Sequence, residues 1–129
     1  MIMSLRIALF LGGLLLLFLA FGFLTDPVGS AANFGLTAQG AQGATSARAD
    51  FTGFFGVGAA CLIWGAIARQ RDPLVIGAAL MLVALAARCV SLAVDGGFEG
   101  YMTPMVVELV LGGLGLIGAQ ILPEAPSRG

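Results

Sequence analysis

Four stretches of this chain, residues 5–24, 51–68, 74–94 and 105–122, are apolar all the way round and do not alternate apolar and polar faces. Each is close to the roughly 20 residues an α-helix needs to cross a bilayer. A surface helix of a soluble domain keeps one polar face for water, whereas these keep none, so the solvent they face is lipid. The pattern predicts an all-α fold: a polytopic membrane protein in which residues 1–129 form one domain, an antiparallel bundle of four transmembrane helices with a long first extramembrane loop.

Turn chemistry agrees with these boundaries. Asp72-Pro73 closes a tight turn and starts the third span, Asp95-Gly96-Gly97 stops it, and Thr103-Pro104 is expected to cap the start of the fourth. Connections this short make the second, third and fourth spans antiparallel neighbours. The first loop, Thr25 to Ala49, is rich in Gly, Ala, Gln and Ser and long for a compact bundle. It reads either as a mobile linker or, because it holds the apolar island Asn33-Phe34-Gly35-Leu36, as a short helix and cap over one mouth of the bundle.

Arg6 followed by an apolar run imitates a secretory signal. The run is longer than the usual apolar core of about 7 to 15 residues, and Thr25-Asp26-Pro27 is not a small-x-small cleavage site, so it is expected to be a retained first helix. Arginine placement then orients the bundle. Arg6, Arg69, Arg71 and Arg128 fall on one face, and Asp26, Arg48, Asp50, Asp95 and Glu99 on the other. Basic loop residues are retained on the cytoplasmic side, so both termini are expected there. Tyr101 and Trp64 suit the two interfacial aromatic belts.

Charged residues make up 10% of the chain against 59% hydrophobic, and the net charge is -1. Six arginines scattered along the length, with no lysine, form no phosphate-binding patch, which sets nucleic acid aside as a partner. There is no histidine, which largely excludes the common zinc, haem and di-iron ligand sets, and no cofactor is expected. Cys61 and Cys89 lie inside spans, outside any CxxC pair, and read as small apolar packing residues. Glycines such as Gly12, Gly13, Gly58, Gly112 and Gly115 allow close helix approach where no hydrophobic effect drives association.

The informative residues are charges placed against hydrocarbon, each of which carries an insertion penalty of about 2.5 to 3.5 kcal/mol at mid-membrane. Counting back from Asp95, Arg88 lies about 10 Å below the end of the third span, and Glu108 about 6 Å inside the fourth, counted from Pro104. Asp50 stands at the start of the second span beside Arg48. Helical spacing puts Arg88 in a small or polar stripe with Gly77, Met81, Ala84, Ser91 and Asp95, and Glu108 in one with Gly112, Gly115 and Ala119. Arg48, Asp50, Arg88, Asp95 and Glu108 are therefore expected to converge in the outer third of the bundle. There three readings stand: Arg88 and Glu108 form a buried pair that only sets helix register; or the cluster lines a polar pocket open to that side, with Arg88 binding an anionic or carbonyl head group and Asp50 or Glu108 as partner or base; or Arg88 simply snorkels to the outer head groups.

Asp26-Pro27, Phe34-Gly35-Leu36, Arg48 with Gly53-Phe54-Phe55-Gly56, Arg88, Asp95-Gly96 and Glu108 together resemble a small four-helix bacterial membrane-protein family catalogued only as a domain of unknown function. The resemblance spans nearly the whole chain, implies a bacterial inner-membrane location, and supplies no activity. Where that family has an Arg followed by an aromatic and Gly-Gly, this chain has Asp50-Phe51-Thr52-Gly53. Two functions from different classes fit. One is a non-catalytic accessory or scaffold subunit, packed against a membrane-protein partner or a second copy of the chain. The other is a binding protein or acid/base enzyme, isomerase-like, for a lipophilic small molecule. No nucleophile elbow, P-loop or metal constellation points elsewhere.

Overall fold

The computed structural model describes residues 1–123 and is all-helical over them: α1 Ile2–Thr25, α2 Pro27–Asn33, α3 Gly40–Ala68, α4 Arg71–Val94 and α5 Met102–Ile121. The four long helices are each long and apolar enough to cross a membrane. Arg128 lies outside the described residues.

The helix ends follow from local chemistry. A residue before proline is pushed out of the α region, so α1 stops ahead of Asp26-Pro27. Asp26 then starts α2 as its N-cap: the carboxylate accepts from the Gly29 amide at 2.9 Å, and Pro27 occupies the first turn, where its missing N–H is no loss. At the other end of α4, Gly96 takes a left-handed φ of 87° and the helix stops at Val94, as expected from Asp95-Gly96-Gly97.

Three boundaries differ from the sequence expectation. The second span does not begin as helix at Phe51; α3 begins at Gly40 and runs 29 residues. Hydropathy registers where the chain meets lipid, while the Ala-containing segment ahead of Phe51 is helix-competent without being apolar. At 1.5 Å per residue α3 is about 44 Å long, more than the roughly 30 Å hydrocarbon core, so its first turns stand clear of it. The third span starts slightly early, at Arg71, which puts Asp72 and Pro73 inside the first turn of α4. Thr103 and Pro104 do not cap the fourth span: α5 starts at Met102 without a side-chain cap. The Thr103 amide already bonds to the Gly100 carbonyl at 3.2 Å, and Gly100, with a φ of 81°, makes the turn instead.

The helices associate as two tight pairs. In the α1–α3 pair, Gly13 lies so close to the partner helix that a Cβ there would stand 3.2 Å from the Ala59 carbonyl oxygen. In the α4–α5 pair, a Cβ on Gly115 would stand 2.9 Å from Ala78 Cβ, and one on Gly112 would lie 2.7 Å from the Leu82 side chain. In lipid this close approach is itself the binding force. The pairs meet each other at Gly65 on Leu74, Gly77 on Leu62, Gly12 on Leu111 and Gly118 on Leu9. All of these lie toward the end carrying Arg6 and Arg69, the basic end. The buried residues of α4, namely Leu74, Gly77, Ala78 and Met81, lie in its first half. Beyond Met81 the two pairs part, and the molecule opens toward the end carrying Asp26, Asp95 and Glu99, the acidic end.

Three arginines close helix C-termini, where carbonyls lack intrahelical partners and the helix dipole favours a cation. Arg6 donates from Nε to the Ala66 carbonyl at 2.9 Å and from Nη2 to that of Ile67 at 3.2 Å. Arg48 Nε reaches the Leu24 carbonyl at 2.9 Å, and Arg69 Nε that of Leu122 at 2.8 Å. These bonds bind the end of α3 to α1, the end of α1 to α3, and the end of α5 to the α3–α4 turn.

Candidate functional site

Phenylalanines build the roof of the open end. Phe23 of α1 stacks on Phe51 of α3, with centroids 4.5 Å apart and rings 14° from parallel. Phe34, just after α2, leans on this stack at 5.4 Å from Phe23 and 5.9 Å from Phe55. Offset and tilted ring pairs of this kind add about 0.5 to 1.5 kcal/mol each beyond the area they bury. Of the two readings of the first loop, the short helix with a cap is the one that forms, and Phe34 is the residue that pins it.

Below the roof lies a cavity of about 540 Å³, within the roughly 300 to 1,000 Å³ of small-molecule sites. Leu15, Leu16 and Leu19 line it from α1, Phe54 and Phe55 from α3, Met81 from α4 and Val107 from α5, and Phe98 and Glu99 stand at the loop side. The gap is where the two helix pairs part. A second cavity of about 290 Å³ adjoins it, lined by Ala87, Ser91, Leu92, Tyr101 and Met105 among others. Phe34, Arg88 and Phe98 line both, so Arg88 stands at their junction.

Arg88 and Glu108 meet across the α4–α5 pair. The guanidinium Nε donates to both carboxylate oxygens, at 2.8 Å to Oε1 and 3.0 Å to Oε2. The Glu108 residue is 6% exposed, while the Arg88 side chain keeps 34% of its surface accessible. Two charges that would each be unfavourable in hydrocarbon thus neutralise one another on a cavity wall.

The other expected members of the cluster are elsewhere. Arg48 is turned onto the α1 C-terminus, and Asp50 and Asp95 are exposed, with none of the three on the wall of either cavity. Matched depth was not enough to bring them together, because α3 faces the cavity with Phe54 and Phe55 and presents Arg48 and Asp50 to other surroundings. The α1 wall and Glu99 are what sequence reasoning missed. In an all-apolar helix nothing singles out the leucines that face protein, although the Phe54-Phe55 pair was a usable signal. Cys61 is half-buried against Gly77, in keeping with a packing role, whereas Cys89 is exposed.

A family model for a domain of unknown function, DUF4345, matches residues 4–119, which takes in nearly all of the four long helices and every residue that lines the main cavity. No curated protein and no solved structure matches the chain.

Proposed function

We propose, for a chain that belongs to the family described as a domain of unknown function (DUF4345), that this membrane-spanning helical protein binds a lipophilic small molecule between its two helix pairs. The observation that carries the reading is the cavity of about 540 Å³ whose mostly apolar walls hold the Arg88–Glu108 ion pair. Small-molecule sites combine a mostly apolar lining with a few placed polar groups, and ionisable residues inside a membrane mark functional positions more often than structural ones. The reading is of binding and not of reaction. Asp50, one of two candidate bases, is absent from the wall, and Glu108, the other, is engaged by Arg88 through both oxygens. In the proposed setting, a bacterial inner membrane, the basic end faces the cytoplasm with both termini, and the cavity opens to the opposite leaflet.

Val107→Trp tests it by filling the cavity from α5. Lipid extraction and native mass spectrometry of gently solubilised protein are expected to find a lipophile bound to the wild type and missing from the variant at unchanged helix content and melting temperature. Identical lipid profiles in both, with a protein partner copurifying instead, would sink the binding reading in favour of an accessory subunit.

A further inference from the structure

The identity of the ligand can be narrowed from the hydrogen bonds Arg88 does not make. Nε is engaged by Glu108, but neither terminal nitrogen of the guanidinium donates to any described residue. Among the described residues no buried side-chain nitrogen or oxygen lacks a partner, so these two nitrogens are accessible. Arg88 lines both cavities, which makes their junction the place where its four remaining N–H donors can be met. Charge then selects between acceptors. The ionisable groups on the main cavity wall are Arg88, Glu108 and Glu99. Glu108 already neutralises Arg88, Glu99 adds a negative charge, and Arg48, the other arginine toward the acidic end, is committed to the α1 C-terminus. An anionic head group would bring a further negative charge to a wall on which the described residues supply no second cation to balance it. An uncharged acceptor brings none.

We propose that the ligand is an uncharged lipophile carrying carbonyl oxygen, such as an ester or ketone, held with that oxygen on the free edge of the Arg88 guanidinium and its hydrocarbon along the leucine and phenylalanine wall. The inference rests on the binding reading above and adds the chemical class. Its test uses the full chain in nanodiscs of diether phospholipid, which contain no carbonyl of their own. Methyl palmitate, palmitate and hexadecane are offered separately and counted by native mass spectrometry after release. The ester is expected to bind about tenfold or more tightly than the hydrocarbon, the effect of hydrogen bonds to a charged donor, and more tightly than the anion. The preference is expected to vanish in the Arg88→Met/Glu108→Gln double variant, whose melting temperature reports that the bundle persists. Equal binding of ester and hydrocarbon would overturn the Arg88 contact while leaving the cavity reading intact. Tightest binding of palmitate would overturn the charge argument alone. Failure of all three to bind would overturn this inference together with the reading on which it rests.

Discussion

Glu108 is almost wholly enclosed while a third of the Arg88 side chain remains accessible, and that asymmetry governs what each substitution leaves behind. Removing Arg88 strands an enclosed carboxylate. Removing Glu108 strands a long cation that can extend toward the nearer membrane surface. Breaking a buried pair by deleting one partner is destabilising by about 3 to 5 kcal/mol, whereas replacing both is often neutral. Arg88→Met is therefore expected to lower stability by about 3 kcal/mol, Glu108→Gln by less, and the double replacement by less than Arg88→Met alone. Thermal or denaturant unfolding in detergent, arranged as a double-mutant cycle, measures all three. Additive single effects would mean that the two groups are not coupled in the folded protein. The same geometry explains why the pair was legible from sequence, since both charges occupy small-residue faces at similar depth on helices joined by a short turn.

At the scale of elements, the segment between α1 and α3 is held by side chains more than by its own helix. A helix of 7 residues is too short to persist alone. Its anchors are the Asp26 cap at one end and Phe34 on the aromatic stack at the other. Phe34→Ala is expected to remove about 1 to 3 kcal/mol, less than the roughly 3 to 5 of a fully buried phenylalanine because Phe34 is only half-buried. Its signature should be local: faster amide hydrogen exchange across residues 27–39 with the lower halves of α1 and α3 unchanged. Unaltered exchange in that segment would show that something other than the aromatic stack holds it. The island Asn33-Phe34-Gly35-Leu36 made a short helix and cap one of two readings of the first loop, but the eleven helical residues ahead of Phe51 stayed hidden, because a polar helical extension and a polar loop look alike to hydropathy.

At the scale of the whole molecule, the arginines serve twice. Arg6 and Arg69 hold helix ends together at the basic end, and together with Arg71 they supply the positive charge by which the proposed orientation is set. Single cysteines at Gln70 and at Gly97, in a background with Cys61 and Cys89 replaced by Ala, report which end faces out. An impermeant thiol reagent applied to intact cells is expected to label Gly97 and spare Gln70. Labelling of Gln70 alone would reverse the orientation, and labelling of both would be incompatible with four spans. The splay of the two pairs belongs to this scale as well. Glycine contacts draw α1–α3 and α4–α5 together toward the basic end, and bulkier side chains such as Leu15, Phe54 and Met81 occupy the gap toward the acidic end.

The sequence by itself determined the solvent, the number of spans and most of their ends, and it made Arg88 and Glu108 candidates for a pair that the structure then shows. Each of these depends on local composition or on residues joined by one short turn. Only the tertiary structure decided that α1 packs against α3 and also reaches α5, that the pairs part beyond Met81 to leave a cavity, and that Arg48, Asp50 and Asp95 stay off its wall. A helix bathed in lipid carries no polar face to mark which side meets protein, so the rotation of each helix is set by close backbone approach between residues distant in sequence. That approach exists only once the helices have met.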